Sequence, residues 1–292
     1  MSSESKVWFI TGASSGLGLA LTRRALARGE FVIATARGNL STRFADLLAS
    51  LDAEQTARLH TLALDVRAPY AEIEQVVRGA LGVWGRVDVL VCNAAIGGLG
   101  VAEEIGHERI SDIVRTNLTS VADLTNAVLP YMRARRDGTI LIIGSRSGYK
   151  NDFPGVAAYS ASKAAVHAYG EGLAAEVQAF NVRVHVVIPG TFNTSIATRG
   201  VIGTPMPDYA GARAHMDGIV RALRAMPGKS DPERGMDVLV DVVRREGRAK
   251  GLENPPLWLF LGEDAVRDLR VRMERLAEAV DGSWGQIGFG LR

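Results

Sequence analysis

The chain has 292 residues, 47% hydrophobic and 23% charged, and its 34 basic and 32 acidic side chains leave a formal net charge of +2. That is the composition of a soluble globular protein, long enough for one large α/β domain or two small ones. Interspersed charge excludes a nucleic-acid stripe, the absence of any apolar run near 18 residues excludes a membrane span, and no signal peptide is expected.

"KVWFIT" at 6–11 is the first of seven short, nearly continuous apolar runs, the pattern of parallel strands covered on both faces. It runs into "TGASSGLG" at 11–18 and a helix over 17–28. Glycines at 12, 16 and 18 let the backbone turn tightly and approach a ligand where a Cβ would intrude. The helix start then offers free N–H groups to a pyrophosphate. A glycine turn alone can be purely steric; its place after the first strand is what points to a dinucleotide. The strand at 31–36 leads into "ATAR", with Arg37 and no Asp or Glu at 33–38. An acid there usually meets a ribose 2′-OH, whereas arginine accommodates a 2′-phosphate. NADP(H) is therefore expected rather than NAD(H), the alternative being a solvated loop arginine.

A helix is predicted over 41–57, a strand over 60–66 carrying Asp65 and Val66, and a helix over 70–82. The strand at 87–93 holds the single cysteine, Cys92, which excludes an internal disulfide and fits a reducing, cytoplasmic compartment. Its apolar neighbours predict core packing rather than nucleophilic chemistry. Helices over 107–134 and 157–179 flank a strand at 139–145, and another strand covers 182–188. Residues 191–229 break the rhythm with glycines and prolines among apolar residues, which leaves two readings open: a substrate lid or a packed helical excursion. "SDPE" at 230–233 predicts a capping box opening a helix over 231–246, before a strand at 257–261 and a helix over 263–280. The five histidines show no zinc-like spacing, so no metal is expected. This βα alternation predicts an α/β, Rossmann-type doubly wound parallel sheet in a single domain, core 6–262, with an extension over 263–292.

"AAYSASKAAVHAY" at 157–169 sets Lys163 four residues after Tyr159, on one helix face. A free phenol has a pKa of about 10, and lowering it by about 3 costs about 4 kcal/mol. A charge about 4 Å away in a dielectric of about 20 supplies that order of energy. Tyr-x-x-x-Lys also occurs by chance in many helices, so the pair alone leaves both readings open: ordinary helix decoration, or a charge held beside the phenol.

Thr11-Gly12-x3-Gly16-x-Gly18, "CNAA" at 92–95, Asn117 in "VRTNLTS", Ser145 in "IIGSRSG", "YSASK" and "PGTFNT" at 189–194 occur in the order seen in short-chain dehydrogenases/reductases. Over residues 6–262 the chain resembles the core single-domain subgroup of that family. The resemblance implies Tyr159 as general acid/base, Lys163 as its activator, Ser145 as the carbonyl-polarising donor and Asn117 as part of a proton relay. The gap from Ser145 to Tyr159 is one residue longer than usual, which makes Ser147 a rival for the hydroxyl role. It implies cofactor contacts from Gly12, Ser14, Ser15, Gly16, Leu17 and Gly18, and from Arg37, Asp65 and Val66. Asn93, Ala94, Tyr159, Lys163, Pro189, Gly190 and Thr194 complete that set. Asp65 would reach the adenine or simply cap a turn. Cys92 and Ala95 replace an asparagine and a glycine common in the family, predicting a slightly altered cofactor wall. A homodimer or homotetramer through the helices at 107–134 and 157–179 is also implied.

The expected function is NADP(H)-dependent interconversion of a ketone or aldehyde and an alcohol, run as a reduction on an apolar small molecule. An NAD-dependent secondary-alcohol dehydrogenase is the alternative, and a non-catalytic cofactor-sensing protein is a third. Leu99 and Phe153 would line the pocket or pack. Trp284 and Phe289, in the tail, would cover the pocket or a neighbouring subunit.

Overall fold

Seven runs rich in Val, Ile and Leu pair side by side: β1 (Val7–Ile10), β2 (Phe31–Ala36), β3 (Leu59–Ala63), β4 (Val89–Cys92), β5 (Gly138–Ile143), β6 (Val182–Pro189) and β7 (Trp258–Leu261). All pairings are parallel, in the order β3-β2-β1-β4-β5-β6-β7. The protein is described by a computed structural model that covers residues 4–194, 201–253 and 256–282. Parallel neighbours need crossovers, which the helices supply. They are α1 (Gly16–Ala27), α2 (Leu40–Arg43), α3 (Ala45–Ser50), α4 (Ala53–Ala57), α5 (Tyr70–Trp84), α6 (Ala102–Val114), α7 (Ser120–Arg135), α8 (Ala157–Val177), α9 (Ala210–Ala225), α10 (Pro232–Arg244) and α11 (Glu263–Asp281).

Alternate residues of each strand feed two cores. Trp8, Ile10, Val89 and Val91 face α1 and α10, with Leu21, Leu26, Leu239 and Val240. Phe9, Leu90, Ile140 and Ile142 face α5, α7 and α8, with Val77, Leu124, Val128 and Val166. Both faces are dry, which is why the strands read as unbroken apolar runs. A buried polar knot ties the start of β1 and the turn before β2 to α10: Glu30 accepts from the Lys6 N–H (2.6 Å) and the Trp8 indole (3.1 Å) and pairs with Arg244.

The seven-stranded parallel sheet is as expected; several boundaries are not. The helix predicted over 41–57 is three short helices, because Phe44 turns inward to the core at φ −112°, ψ 10°, and Asp52 starts α4 with its own capping box. The helix predicted over 107–134 begins earlier, kinks at Gly106 (φ 71°), and passes through a π-helical turn at Arg115–Thr119. The strand predicted to 66 ends at Ala63, since Asp65 caps a turn by accepting the Arg67 N–H (3.0 Å). At 230–233 the cap is Asp231, accepting from Glu233 (2.8 Å) and Arg234 N–H groups, so no Ser–Glu box forms. Ser230 instead bridges to Phe192.

Candidate active site

The ends of β1 and β4 flank the point where strand order reverses, and there the polypeptide opens a cavity of about 420 Å³. Thr11 and Asn93 build its floor. The Thr11 hydroxyl accepts the N–H groups of Asn93 and Ala94, each at 3.0 Å, and donates to the Val91 carbonyl at 3.1 Å. The Asn93 amide donates to the Thr11 and Gly12 carbonyls at 2.8 and 3.2 Å. Gly12 and Gly16 have φ of 64° and 56°, which favours glycine, and a Cβ on Gly12 would stand 3.0 Å from Ala94 Cα. Gly18 is not on the cavity wall. A Cβ there would overlap the Gly12 carbonyl, so Gly18 lets α1 close onto the turn. Ser15 caps α1 without a side-chain bond and no acid occupies the first turn, leaving N–H groups for an anion. This cradle, walled by Ser14, Ser15, Gly16 and Leu17, fits a dinucleotide pyrophosphate.

Arg37 and Arg43 line the far end, with Asp65, Val66 and Arg67. Burial raises the pKa of Asp65, but hydrogen bonds from Arg67 and the charges of Arg67 and Arg37 outweigh it and hold the carboxyl below its usual range. Asp65 thus caps its turn and faces the cavity at once. Arg43, on α2, is a further cavity cation that sequence reasoning missed; in the sequence it reads as an ordinary helix arginine.

Ser145, Tyr159 and Lys163 meet on the opposite wall. Ser145 follows β5, while Tyr159 and Lys163 stand one turn apart on α8. The Tyr159 ring lies against Gly97, where a Cβ would be 3.2 Å from two ring carbons. Burial raises the phenol's pKa above its ordinary value, and a side-chain hydrogen bond with Ser145 works in the opposite direction. Burial and Ser145 are the two causes that set this shift, and Lys163 is not among them. The ammonium lies 6.0 Å from the ring centroid and donates to the Ile143 carbonyl at 2.7 Å. Burial also brings Lys163 down to about 8. Ser147 shares the wall, but its backbone N–H donates to Ser145 Oγ at 3.1 Å; Ser145 is the hydroxyl bonded to Tyr159.

Asn117, in the π-helical turn, is almost fully buried and its side chain does not reach the cavity wall. Its amide donates to the Ile96 carbonyl (2.9 Å) and Ser162 Oγ (3.0 Å) and accepts the Ile96 N–H (2.9 Å). Both amide protons are engaged in tying the loop after β4 to α8. Cys92 is buried at the end of β4 with its thiol pushed up to about 12, an inert core group.

Pro189, Gly190 and Thr194 form a third wall, with Thr194 near Gly16 across the cavity. Leu99 and Phe153 do line the cavity, together with Val156, Phe192, Ile219 and Leu223, so part of its lining is apolar. Among the described residues of 191–229 is a packed helix, α9, that contributes side chains to the cavity lining. Ile219 and Leu223 stand one turn apart on α9, and Met216 is buried. Val201 bridges to Leu99, and Glu104 on α6 accepts from Arg213 and the Met206 N–H, each at 2.8 Å. Residues 195–200, with Ile196, lie outside the described residues, as do Trp284 and Phe289.

The extension is attached to the site. Asp264 of α11 accepts the Thr191 N–H at 2.8 Å, Asp268 pairs with Arg146, and Arg146 donates to Thr191 Oγ1 at 3.1 Å. These ties join residues up to 122 apart in sequence, so nothing local announces them.

Residues 6–201 match the family model for short chain dehydrogenase. The chain is 32% identical over 285 residues to Oxidoreductase BOA17 of Botryotinia fuckeliana, covering 97% of each. A short-chain dehydrogenase structure from Streptomyces avermitilis superposes with a TM-score of 0.84 at 33% identity, covering 100% of both chains. One from Sphingobium yanoikuyae in complex with NADPH gives 0.70 at 26% identity, covering 98% of this chain and 100% of that one.

Proposed function

The chain belongs to the short-chain dehydrogenases, and from that premise we propose that it is an NADP(H)-dependent reductase of ketones or aldehydes carried on an apolar small molecule. One observation carries the reading: Ser145, Tyr159 and Lys163 share a cavity with the glycine cradle and Arg37, and that cavity's lining includes Leu99, Phe153, Ile219 and Leu223. When bound, the nicotinamide cofactor supplies the hydride. The α1 N-terminus and Gly12 turn would hold its pyrophosphate, and Arg37 with Arg43 would face the 2′-phosphate.

Ser145 would donate to the substrate oxygen, and Tyr159 would deliver the proton to it. The raised pKa of Tyr159 favours reduction: a buried phenol starts protonated at neutral pH, as an acid must. Oxidation would require it to start as a base. Lys163, charged below about pH 8, would stabilise the phenolate left after transfer. Leu99, Phe153, Ile219 and Leu223 would seat the apolar body of the substrate and exclude water. The same reading carries a cytoplasmic enzyme that assembles as a homodimer or homotetramer through α6, α7 and α8.

The test is NADPH oxidation over a panel of aryl and alkyl ketones by wild type and Tyr159→Phe. The variant should bind NADPH as wild type does and lose turnover. Wild-type turnover by the variant would refute the role of Tyr159.

A further inference from the structure

Tyr159, Lys163 and His167 occupy positions i, i+4 and i+8 on one face of α8, yet only the first two line the cavity. His167 is buried behind it. The last sheet bond on this side of β5 is from the Gly144 N–H to the Val187 carbonyl, at 2.8 Å. The next amide, that of Ser145, has no strand to bond and donates to His167 Nε2 at 3.2 Å. The ring is clamped there. A Cβ built on Gly144 would overlap Nε2, one on Gly148 would overlap Cε1, and Trp258 of β7 packs edge-on with centroids 5.4 Å apart.

We propose that His167 is a positioning residue for Ser145: by accepting its backbone N–H from behind the cavity, it fixes where the Ser145 hydroxyl stands against the Tyr159 phenol and the substrate oxygen. The inference rests on reading Ser145 as the carbonyl-polarising donor. Only a neutral imidazole can accept this bond. Burial, helped by the Lys163 charge, brings the ring's pKa down to about 4, so it is neutral through the physiological range. The titratable groups facing it are Lys163 on its own helix and Tyr149 from the loop after β5; Gly144, Gly148 and Trp258, all uncharged, also pack against it.

Two measurements on the full chain test this. The first is amide hydrogen exchange at Ser145, which should be protected in wild type and exposed in His167→Leu. The second is a kinetic cycle over Ser145→Ala, His167→Leu and the double variant, with NADPH and the ketone panel. His167→Leu should lower kcat by about tenfold or more, the scale of a misplaced catalytic group, with NADPH affinity unchanged. His167→Gln, which keeps an acceptor, should recover part of the loss, and the double variant should be no slower than Ser145→Ala alone. Gly148→Ala, which pushes the ring from the other side, should reproduce the defect should His167→Leu fail to fold. Losses that multiply in the double variant, or a Ser145 amide still protected in His167→Leu, would overturn the proposal. If wild type turns over no ketone, the functional reading fails instead, and exchange at Ser145 alone decides the His167 link.

Discussion

His167 makes a measurable contribution to acid sensitivity. Its pKa is about 4 in the folded chain against 6.5 for the free side chain, with burial as the main cause and Lys163 as the second. Between those values the unfolded chain takes up a proton that the folded chain refuses, so stability falls as pH falls. The full difference, at 1.36 kcal/mol per pH unit, is about 3 kcal/mol. It is absent above pH 6.5, grows by about 1.4 kcal/mol per unit below it, and is complete near pH 4. At pH 5 wild type should therefore have lost about 2 kcal/mol through this group alone. Urea unfolding of wild type and His167→Gln at pH 7.5, 6 and 5 isolates it, because the other groups cancel in the difference. The variant begins less stable, and the gap should narrow by about 2 kcal/mol at pH 5. Parallel pH profiles for the two proteins would refute the reasoning and mean that the imidazole is reached by water or protons.

Glycine positions give a paired outcome: Gly18→Ala should abolish NADPH binding by forcing a Cβ into the Gly12 carbonyl, which calorimetry would detect. Gly172→Ala, within α8 with nothing near its missing Cβ, should instead stabilise the fold by about 0.5–1 kcal/mol in a urea melt. Turnover in the direction of reduction should fall on the alkaline side with an apparent pKa near 8, because Lys163 is charged below that pH and neutral above it; a kcat–pH profile checks this. Glu104→Gln should release Arg213 and the start of α9, seen as faster tryptic cleavage within 207–225 and a raised KM for ketone with NADPH affinity unchanged.

What was legible in the sequence was what chemistry or sterics ties to residue type. The glycine turn, Tyr159, Lys163, Ser145 and the β-branched strands could be read directly, because few residues serve in those places. Breaks imposed by tertiary packing could not be read: Phe44 looks like one more apolar helix residue, and Gly106 and the π-helical turn interrupt a run of good helix formers. The histidine behind Ser145 was visible only as one of five, since its partners are a backbone amide and two glycines about 20 residues away. A spacing of four fixes a shared helix face, but not which acceptor a flexible ammonium chooses, and the Ile143 carbonyl took it.

The central claim is that the cradle and Arg37 select a 2′-phosphorylated dinucleotide. Calorimetric titration of wild type and Arg37→Glu with NADPH and NADH tests it most directly. A charge-assisted contact of about 1.5–3 kcal/mol predicts NADPH binding about tenfold to a hundredfold tighter than NADH, with the preference lost or reversed in the variant. Equal affinities in wild type, or a preference untouched by Arg37→Glu, would contradict the account.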